Sequence, residues 1–359
     1  MKRLLFVVAL VASLWGSLAV GCRAQAPASL RDEFRKLVQT DRAPVALNPR
    51  PISDTAVGDS RVEKVRIATE LGEEAVVLIH RPKAEGRYPT VVFQHFLGGS
   101  KDYPALTLLY GALVQRGFLV AAIDGRYRGE RQNGVSLDAA MLQALRTGKG
   151  RPFLIDTAYD LTRLLDYLQT RPDVDSARIG MSGFSEGGIL TWMTAVADDR
   201  IRVAVPIIGV TAFGETLRMQ TGPDVEARVR LFTPLLTEYA KDLGEPGPNA
   251  RVLREAWSKL VPGMLDRFDA PNLLPHVAPR PMLVMSHEKD ELFPVIGAQK
   301  AVDAAKVRYL ELSAADRLDF RIAPGLGHAP TNTLQLLGEM TGMVTWMERW
   351  LKTATVPAT

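Results

Sequence analysis

The residues with the clearest capacity for chemistry lie in the segment 178–188, Arg-Ile-Gly-Met-Ser-Gly-Phe-Ser-Glu-Gly-Gly. This segment places Gly-x-Ser-x-Gly, centred on Ser185, directly after a short apolar strand and directly before a helical pattern. At such a turn the backbone is strained and only glycines fit beside the serine, which accounts for Gly183 and Gly187. A lone Gly-x-Ser-x-Gly recurs by chance in ordinary turns, but this context predicts that Ser185 is a nucleophile.

A serine hydroxyl is a poor nucleophile near neutral pH and needs an adjacent base, for which histidine, with an ordinary pKa of about 6.5, is suited. Among the five histidines, His328 lies in a glycine-flanked loop after a strand predicted at 320–323 and before the last predicted helix. His80, His276 and His287 lack that placement. His328 is therefore the predicted base, and the alternative is a structural loop histidine.

The imidazole must be held in one tautomer and its cation stabilised, which calls for a buried carboxylate. Asp290 follows a strand predicted at 281–286 and gives the chain order serine, carboxylate, histidine. Glu288 and Glu291 are rivals in the same loop, and each of the three could instead be a solvated loop charge. The sequence favours Asp290.

A tetrahedral intermediate needs two backbone N–H donors, one of them from the residue after the nucleophile. That residue is Glu186. The second donor is expected in the segment Gln-His-Phe-Leu-Gly-Gly at 94–99, from the amide of Phe96 or Leu97. His95 in this segment is predicted to be structural rather than catalytic.

The elements that must position these residues follow an alternating pattern from Arg61 onward. Strands separated by helices of about 10 to 15 residues indicate parallel βαβ units and a doubly wound α/β sheet. The first two strands have no helix between them, so the sheet is expected to begin antiparallel. The segment at about 211–272 interrupts the rhythm, is too long for a plain connection and predicts a helical lid. Strands are predicted at 62–67, 75–79, 90–94, 118–123, 178–181, 201–208 and 281–286, and helices at about 103–116, 155–170, 187–197, 297–307 and 333–351.

Other conspicuous side chains are predicted to be structural. The charged segment 124–131, Asp-Gly-Arg-Tyr-Arg-Gly-Glu-Arg, is interpreted as a self-paired loop scaffold rather than a substrate-binding site. Core positions are expected for Trp192, Trp346 and Trp350. Large apolar residues of the lid could line a pocket, but packing onto the domain is favoured for most of Phe213, Met219, Phe232, Trp257 and Met264.

The N-terminus has the charged-then-apolar layout of an export signal, with Lys2 and Arg3 before an apolar run at 4–20. We predict a leader at 1–24 and export to the periplasm, the cell envelope or the medium, and an uncleaved membrane anchor is the alternative. A lipobox-like sequence before Cys22 predicts membrane attachment through a lipidated cysteine, whereas cleavage after Ala24 would release a soluble protein. Residues 25–60 are interpreted as a linker or an N-terminal wrap.

Composition excludes several classes of function. The chain has 359 residues and a formal net charge of +4, without the basic run that tracks phosphates, so no nucleic-acid partner is predicted. Cys22 is the only cysteine, which excludes an intrachain disulfide, a cysteine zinc cluster and a cysteine nucleophile in the folded domain. No metal or organic cofactor is expected.

With these residues in place the chain resembles the α/β-hydrolase superfamily, and within it the dienelactone-hydrolase-like and prolyl-oligopeptidase-like serine esterases, over about 61–351. The resemblance implies an α/β-hydrolase domain at 61–355 with the lid at about 211–272. It is carried by the loops 95–99 and 124–131, the elbow 183–187, the lead Pro-Arg-Pro at 279–281, Asp290 with the Phe-Pro at 293–294, and the Gly-His at 327–328.

The departures from the pattern narrow the expected activity. Dienelactone hydrolases use cysteine where this chain has Ser185, and the peptidases carry an N-terminal propeller, for which the residues before Val62 leave no room. Phe96 stands where relatives commonly have glycine. The resemblance therefore favours hydrolysis of a small-molecule or sugar-linked carboxylic ester. A peptidase or amidase, an acetyl-sugar (xylan-type) esterase and a noncatalytic exported binding protein remain the alternatives.

Overall fold

The computed structural model describes residues 29–39, 42–43, 45–329 and 333–353. The leader predicted at 1–24, with Cys22 and Ala24, lies outside these residues, so export and lipidation stay predictions. Within the described ranges, no helix combines the length and the apolar character needed to cross a bilayer.

A nine-stranded sheet forms the centre of the fold. The strands are β1 (Arg50–Val57), β2 (Ser60–Glu70), β3 (Glu73–Pro82), β4 (Tyr88–Gln94), β5 (Leu119–Ile123), β6 (Val174–Phe184), β7 (Val203–Ile207), β8 (Met282–His287) and β9 (Leu318–Ala323). Their order across the sheet is β1, β2, β3, β5, β4, β6, β7, β8, β9. Read in this order across the sheet, each pair of neighbouring strands from β1 through β3 to β5 is antiparallel. Each pair from β5 through β4 to β9 is parallel. The predicted mostly parallel sheet with an antiparallel start is confirmed.

Helices cover both faces of this sheet, so the fold is doubly wound as predicted. They are α1 (Leu30–Gln39), α2 (Pro104–Gln115), α3 (Leu137–Thr147), α4 (Ile155–Thr170), α5 (Glu186–Ala197), α6 (Phe213–Arg218), α7 (Pro223–Leu231), α8 (Thr233–Asp242), α9 (Ala250–Leu260), α10 (Ala270–Leu273), α11 (Val295–Glu311) and α12 (Thr333–Glu348). Residues of α2 and α12 belong to one hydrophobic core, which includes Trp346 and Trp350. Residues of α4, α5 and α11 belong to the other, which includes Trp192. All three tryptophans are buried, as predicted.

The register brings the carboxyl ends of the parallel strands to one edge of the sheet. Gln94, the last residue of β4, lies opposite Gly183 of β6, and His287 of β8 lies opposite Ala323 of β9. The segments that leave β4, β6, β8 and β9 therefore start at the same edge. In a doubly wound sheet this edge is where ligands bind.

The segment 211–272 folds into the helices α6 to α10. Four of the five large apolar residues named for this lid are buried in the core, and Met219 is exposed. The buried four form an aromatic and apolar cluster with the domain, and the ring planes of Phe213 and Trp257 are stacked with centroids 5.5 Å apart. Packing onto the domain is therefore the role of most of these residues.

The segment 25–60 contains two regular elements where it is described. Helix α1 buries Phe34 and Val38 in the core and packs against α4 and α5. Strand β1 pairs with β2 at the edge of the sheet and is exposed along its whole length. The segment is thus bound to the domain through one apolar helix face and one strand edge.

Candidate active site

Ser185 stands at the turn between β6 and α5. Its backbone has φ 55° and ψ −113°, a region that residues other than glycine rarely occupy. The N–H of Ser185 donates to the carbonyl oxygen of Ile207 at 2.9 Å, and the carbonyl oxygen of Ser185 accepts from Ile189 N–H at 3.0 Å. These two bonds hold the strained turn that presents the side chain at the edge of the sheet.

The glycines on either side of the serine are required by close backbone approach. A Cβ atom on Gly183 would lie 2.5 Å from the carbonyl oxygen of Gln94, closer than real Cβ contacts come. A Cβ atom on Gly187 would overlap the same oxygen and lie 2.8 Å from the carbonyl oxygen of His95. Helix α5 can start this close to β4 only because these two positions lack side chains.

The Ser185 hydroxyl is hydrogen-bonded to His328. Ser185 Oγ lies 2.9 Å from Nε2 of the imidazole. His328 follows β9 in the loop before α12, and its side chain is 16% exposed. A serine hydroxyl at this distance from a partly buried imidazole has the base it needs within reach of its proton.

Asp290 holds the other side of the imidazole. His328 Nδ1 lies 3.0 Å and 2.9 Å from the two carboxylate oxygens of Asp290. Asp290 Oδ1 also accepts from the N–H groups of Leu292 and Phe293, both at 2.8 Å, and the side chain is fully buried. A carboxylate only accepts, so Nδ1 carries the proton and Nε2 presents its lone pair to Ser185.

The rival carboxylates do not contact the imidazole ring. Glu288 and Glu291 are both exposed. Glu288 accepts from Gly325 N–H at 2.6 Å, and Glu291 lies 3.4 Å from the backbone N of His328. Both therefore brace the backbone of the loop that carries His328, and the structure brings only Asp290 of the three to the ring.

His95 fixes the loop after β4. Its Nε2 accepts from Gly125 N–H at 2.9 Å, so the proton sits on Nδ1, which donates to the carbonyl oxygen of Phe96 at 2.8 Å. Burial, together with the nearby charge of Arg128, lowers the pKa of His95. The neutral ring thus acts as a structural brace, in line with its predicted role.

Phe96 and Leu97, the residues named for the second N–H donor, line the same cavity as Ser185 and His328. Glu186, named for the first donor, is the first residue of α5, so its amide lies at the start of that helix beside Ser185. The structure therefore brings these three residues close to the serine, and their roles as N–H donors stay predictions. The choice between Phe96 and Leu97 stays a prediction.

The side chain of Glu186 points away into a buried ion pair. Its two carboxylate oxygens contact the two terminal nitrogens of Arg128, and both side chains are less than one-tenth exposed. Arg128 lies in the charged segment 124–131, after β5. A two-point contact of this kind fixes the segment against the start of helix α5.

The rest of the charged segment is paired mainly with other elements rather than with itself. Asp124 accepts from the backbone N–H and from Nζ of Lys101, both at 2.8 Å. Arg126 and Arg131 both bond the buried carboxylate of Asp160 in α4. Burial alone would raise the pKa of Asp160, but the two guanidinium groups outweigh burial and lower it. These contacts fit the interpretation of the segment as a structural scaffold. Most partners of its side chains lie in other parts of the chain, so the segment is not mainly self-paired.

A second buried pair, not anticipated from the sequence, lies beside the His328 loop. His287 Nδ1 is 2.6 Å from the carbonyl oxygen of Gly327, and its Nε2 contacts Oε1 of Glu339 on α12. Both side chains are buried. Burial alone would lower the pKa of His287, but the Glu339 carboxylate and the Gly327 carbonyl raise it. This pair ties the residue preceding His328 to both β8 and α12.

Arg228 of the lid is a third feature that the sequence did not reveal. Its guanidinium carbon lies 5.1, 5.6 and 5.0 Å from the ring centroids of Phe213, Trp257 and Phe293, and one nitrogen donates to the carbonyl oxygen of Leu292. No carboxylate of the described residues pairs with it, and burial lowers its pKa to about 10. Arg228 therefore joins α7 to the loop that supplies Asp290.

A cavity of about 410 Å³ opens at Ser185 and His328. Its other described lining residues come from the loop after β4, from α2, from the ends of β6 and β7, and from α7, α12 and the Asp290 loop; they are Phe96, Leu97, Tyr103, Ala105, Leu106, Phe184, Ile208, Leu231, Leu292, Ala329 and Met340.

Among residues 29–39, 42–43, 45–329 and 333–353, no three His, Cys, Asp or Glu side chains converge as metal ligands.

Comparison with known proteins finds relatives that cover most of the chain. The chain is 29% identical to "Putative hydrolase YtaP" of Bacillus subtilis over 77% of its own length and 85% of that protein. It is 23% identical to "Putative esterase YitV" of the same organism, over 68% and 86% of the two chains. The solved acetyl xylan esterase from Paenibacillus sp. R4 shares the fold with a TM-score of 0.59 at 19% identity, covering 89% of this chain and 93% of the other.

The model of the prolyl oligopeptidase family matches residues 109–354, which is more than half of the chain. That range contains the serine elbow, the Asp290 loop and the His328 loop. The resemblance predicted from the motifs is confirmed, and the chain belongs to the prolyl oligopeptidase family.

Proposed function

We propose that the protein hydrolyses a carboxylic ester through an acyl-enzyme intermediate, with Ser185 as the nucleophile, His328 as general base and acid, and Asp290 as the group that orients His328. The observation that carries this proposal is the unbroken hydrogen-bonded series from Ser185 Oγ through the imidazole to the Asp290 carboxylate. This series ends at a cavity that can hold a substrate.

In the first half of the reaction, Ser185 Oγ adds to the carbonyl carbon of the ester while His328 Nε2 takes the hydroxyl proton. The tetrahedral intermediate then collapses, and the bond between the carbonyl carbon and the alcohol oxygen breaks. His328 gives its proton to the departing alcohol. The buried carboxylate of Asp290 stabilises the imidazolium that forms between these two proton transfers.

In the second half, a water molecule adds to the acyl carbon and gives a proton to His328 Nε2. Collapse of the second intermediate breaks the bond to Ser185 Oγ, and His328 returns the proton to that oxygen. The products are one carboxylic acid and one alcohol. No redox step or second substrate besides water is involved.

The negative oxygen of both intermediates requires N–H donors. We assign the amide of Glu186 as one donor and the amide of Phe96 or Leu97 as the other. The Arg128 ion pair with Glu186 and the His95 hydrogen bond to Phe96 hold these two backbone segments in place. The start of α5 adds the positive end of a helix dipole near the same oxygen.

We infer that the substrate is a small-molecule or sugar-linked ester. The names of the relatives support an ester over a peptide, since they include "Putative esterase YitV" and an acetyl xylan esterase. An acetylated sugar is the second candidate, supported by the name of the acetyl xylan esterase from Paenibacillus sp. R4.

The proposal is tested by steady-state hydrolysis of 4-nitrophenyl butyrate. Ser185→Ala is expected to lower kcat by about 10⁴-fold or more while the protein stays folded. Ser182→Ala is the matched control, because Ser182 lies in β6, is buried and donates only to the Val205 carbonyl. Wild-type activity in Ser185→Ala would contradict the role of Ser185. A folded wild type that hydrolyses no ester would contradict ester hydrolysis and favour a binding protein.

We also propose that the protein is exported through the leader at 1–24. Cell fractionation of the full chain, beside a variant with Cys22→Ala, tests this. Membrane association that disappears in Cys22→Ala supports the lipoprotein form, and release in both supports cleavage after Ala24. Cytoplasmic recovery of the uncleaved chain contradicts export.

A further inference from the structure

The cavity at Ser185 and His328 has a composition that bears on the substrate. Among the described residues that line it, only Tyr103, Ser185 and His328 have polar atoms in their side chains. Ser185 and His328 are the proposed reacting pair, so Tyr103 is the one remaining polar side chain among the described lining residues. The walls are otherwise aliphatic, aromatic or methyl groups.

The wall is built by several independent elements. Leu106 is 2% exposed on α2, Phe184 is 6% exposed at the end of β6, and Ile208 is 3% exposed just after β7. The Phe96 ring is packed edge-on against the ring of Tyr103, with centroids 5.1 Å apart. These side chains are fixed by the domain core, so the apolar surface is preformed.

A polar ligand would lose hydrogen bonds to water in this cavity and find few protein partners. Burying a hydroxyl group without a compensating hydrogen bond is unfavourable. A sugar ring with several free hydroxyl groups is therefore a poor match to the walls. An apolar chain or ring gains free energy for each methylene removed from water.

The volume sets the size of the apolar group. A cavity of 410 Å³ is more than ten times the roughly 30 Å³ that one molecule of liquid water occupies. The single methyl of an acetyl group would leave most of this space unfilled. A group of about six to ten carbons fits within it and leaves room for the ester group and the rest of the substrate.

We propose that the ester cleaved at this site carries an apolar chain or ring of about six to ten carbons, held in the cavity between α2, the loop after β4 and the lid residue Leu231. This inference rests on the proposed ester hydrolysis at Ser185. It selects an apolar ester over an acetylated sugar. Leu231 is the last residue of α7, so the lid contributes to the choice of substrate.

The test is a chain-length series on each side of the ester bond. One series varies the acyl chain and uses 4-nitrophenyl acetate, butyrate, hexanoate, octanoate and decanoate. The other varies the alcohol chain and uses ethyl, butyl, hexyl and octyl acetate, with hydrolysis measured from the release of acid. In one of the two series kcat/KM is expected to rise by up to about fourfold per methylene and to peak between six and ten carbons. Peracetylated xylose is the polar comparison and is expected to be hydrolysed at least tenfold less efficiently than the best ester.

A variant locates the effect in the cavity. Ala105→Phe places a ring in the cavity and is expected to lower kcat/KM for the best long ester at least tenfold relative to the four-carbon ester of the same series. Leu108→Phe places the same ring on α2 at a position that is 77% exposed and should leave the chain-length profile unchanged. Thermal unfolding shows whether both variants are folded.

The outcomes separate this inference from the proposed function. Equal or falling kcat/KM with chain length in both series, or preference for acetylated xylose, overturns the apolar-substrate inference while ester hydrolysis stands. If Ala105→Phe is folded and its profile matches that of Leu108→Phe, the cavity does not select the chain and the inference is wrong. If no ester in any series is hydrolysed, both the function and the inference are overturned.

Discussion

The ring of Phe293 lies nearly parallel to the imidazole of His328, with ring centroids 5.4 Å apart and planes inclined by 22°. The guanidinium of Arg228 lies 5.0 Å from the centroid of the same Phe293 ring. One aromatic side chain thus stands between the lid and the proposed base. The lid helix α7 and the Asp290 loop therefore pack as one unit.

Arg228→Met is expected to lower kcat by about tenfold or more, because the charged hydrogen bond to the Leu292 carbonyl is worth roughly 1.5–3 kcal/mol and holds the loop that carries Asp290. Thermal stability should change little, since the loss of this hydrogen bond is offset by removing a buried guanidinium that has no ion-paired carboxylate among the described residues, and methionine fills similar space. Arg230→Met, at an exposed position of the same helix, is the control. A folded Arg228→Met with the wild-type kcat would show that the contact does not position the loop.

Asp290→Asn is expected to lower kcat by about 10³–10⁴-fold, since the amide favours the wrong tautomer of His328. Glu288→Gln and Glu291→Gln remove the rival charges of the same loop and should each change kcat by less than about threefold. The three variants are compared under single-turnover conditions. An equal loss of kcat in Glu288→Gln or Glu291→Gln would show that Asp290 is not the only carboxylate that orients His328.

Arg128→Met is expected to reduce the free energy of unfolding by about 3–5 kcal/mol, because it leaves Glu186 as an unpaired buried charge. Adding Glu186→Leu should restore part of the loss. Arg308→Met removes a half-exposed ion pair with Glu311 and should cost less than about 1 kcal/mol. Chemical denaturation measures the free energy of unfolding of each variant. Similar losses of this free energy in Arg128→Met and Arg308→Met would contradict a structural role for the buried pair.

The His287 pair with Glu339 predicts a pH-dependent stability. His287 faces two acceptors, the Gly327 carbonyl and the Glu339 carboxylate, and the Asp290 carboxylate adds to the field that raises its pKa. A histidine whose folded-state pKa is raised contributes stability that is fully present below its ordinary pKa of about 6.5 and is lost as pH rises through the folded-state value.

The stability deficit of His287→Gln relative to wild type should therefore be largest near pH 5.5 and shrink toward pH 9. Thermal unfolding across that range measures the deficit. His80→Gln is a control of opposite sign, because burial lowers the pKa of His80 and its contribution grows as pH rises. A deficit of His287→Gln that does not depend on pH would mean that the pair holds no extra proton.

The sequence was sufficient for the parallel part of the sheet and for the serine elbow. The buried strands are continuous apolar runs, as in β7, and the glycines at 183 and 187 are required by contacts within one strand-to-helix turn. Strand β1 was missed because every residue in it is exposed, so no alternation of apolar side chains marks it. Helix α3 was missed although Leu137, Met141 and Leu145 recur at helical spacing and are buried.

The surroundings of the triad could not be predicted in the same way. Arg128 and Glu186 are separated by 58 residues, and His287 and Glu339 by 52. Arg228 is one of two arginines in α7, and its burial depends on where the lid packs. Such contacts are set by tertiary packing, and a single sequence carries no signal for the pairing.

Ser185 is proposed to be an activated nucleophile, and covalent labelling by a fluorophosphonate probe measures that reactivity. The purified wild type and Ser185→Ala are treated with the probe, and peptide mass spectrometry locates the adduct. We expect one adduct, on Ser185, in the wild type, no adduct in Ser185→Ala, and strongly reduced labelling in Asp290→Asn. A folded wild type that is not labelled, or an adduct at another serine that persists in Ser185→Ala, would contradict it.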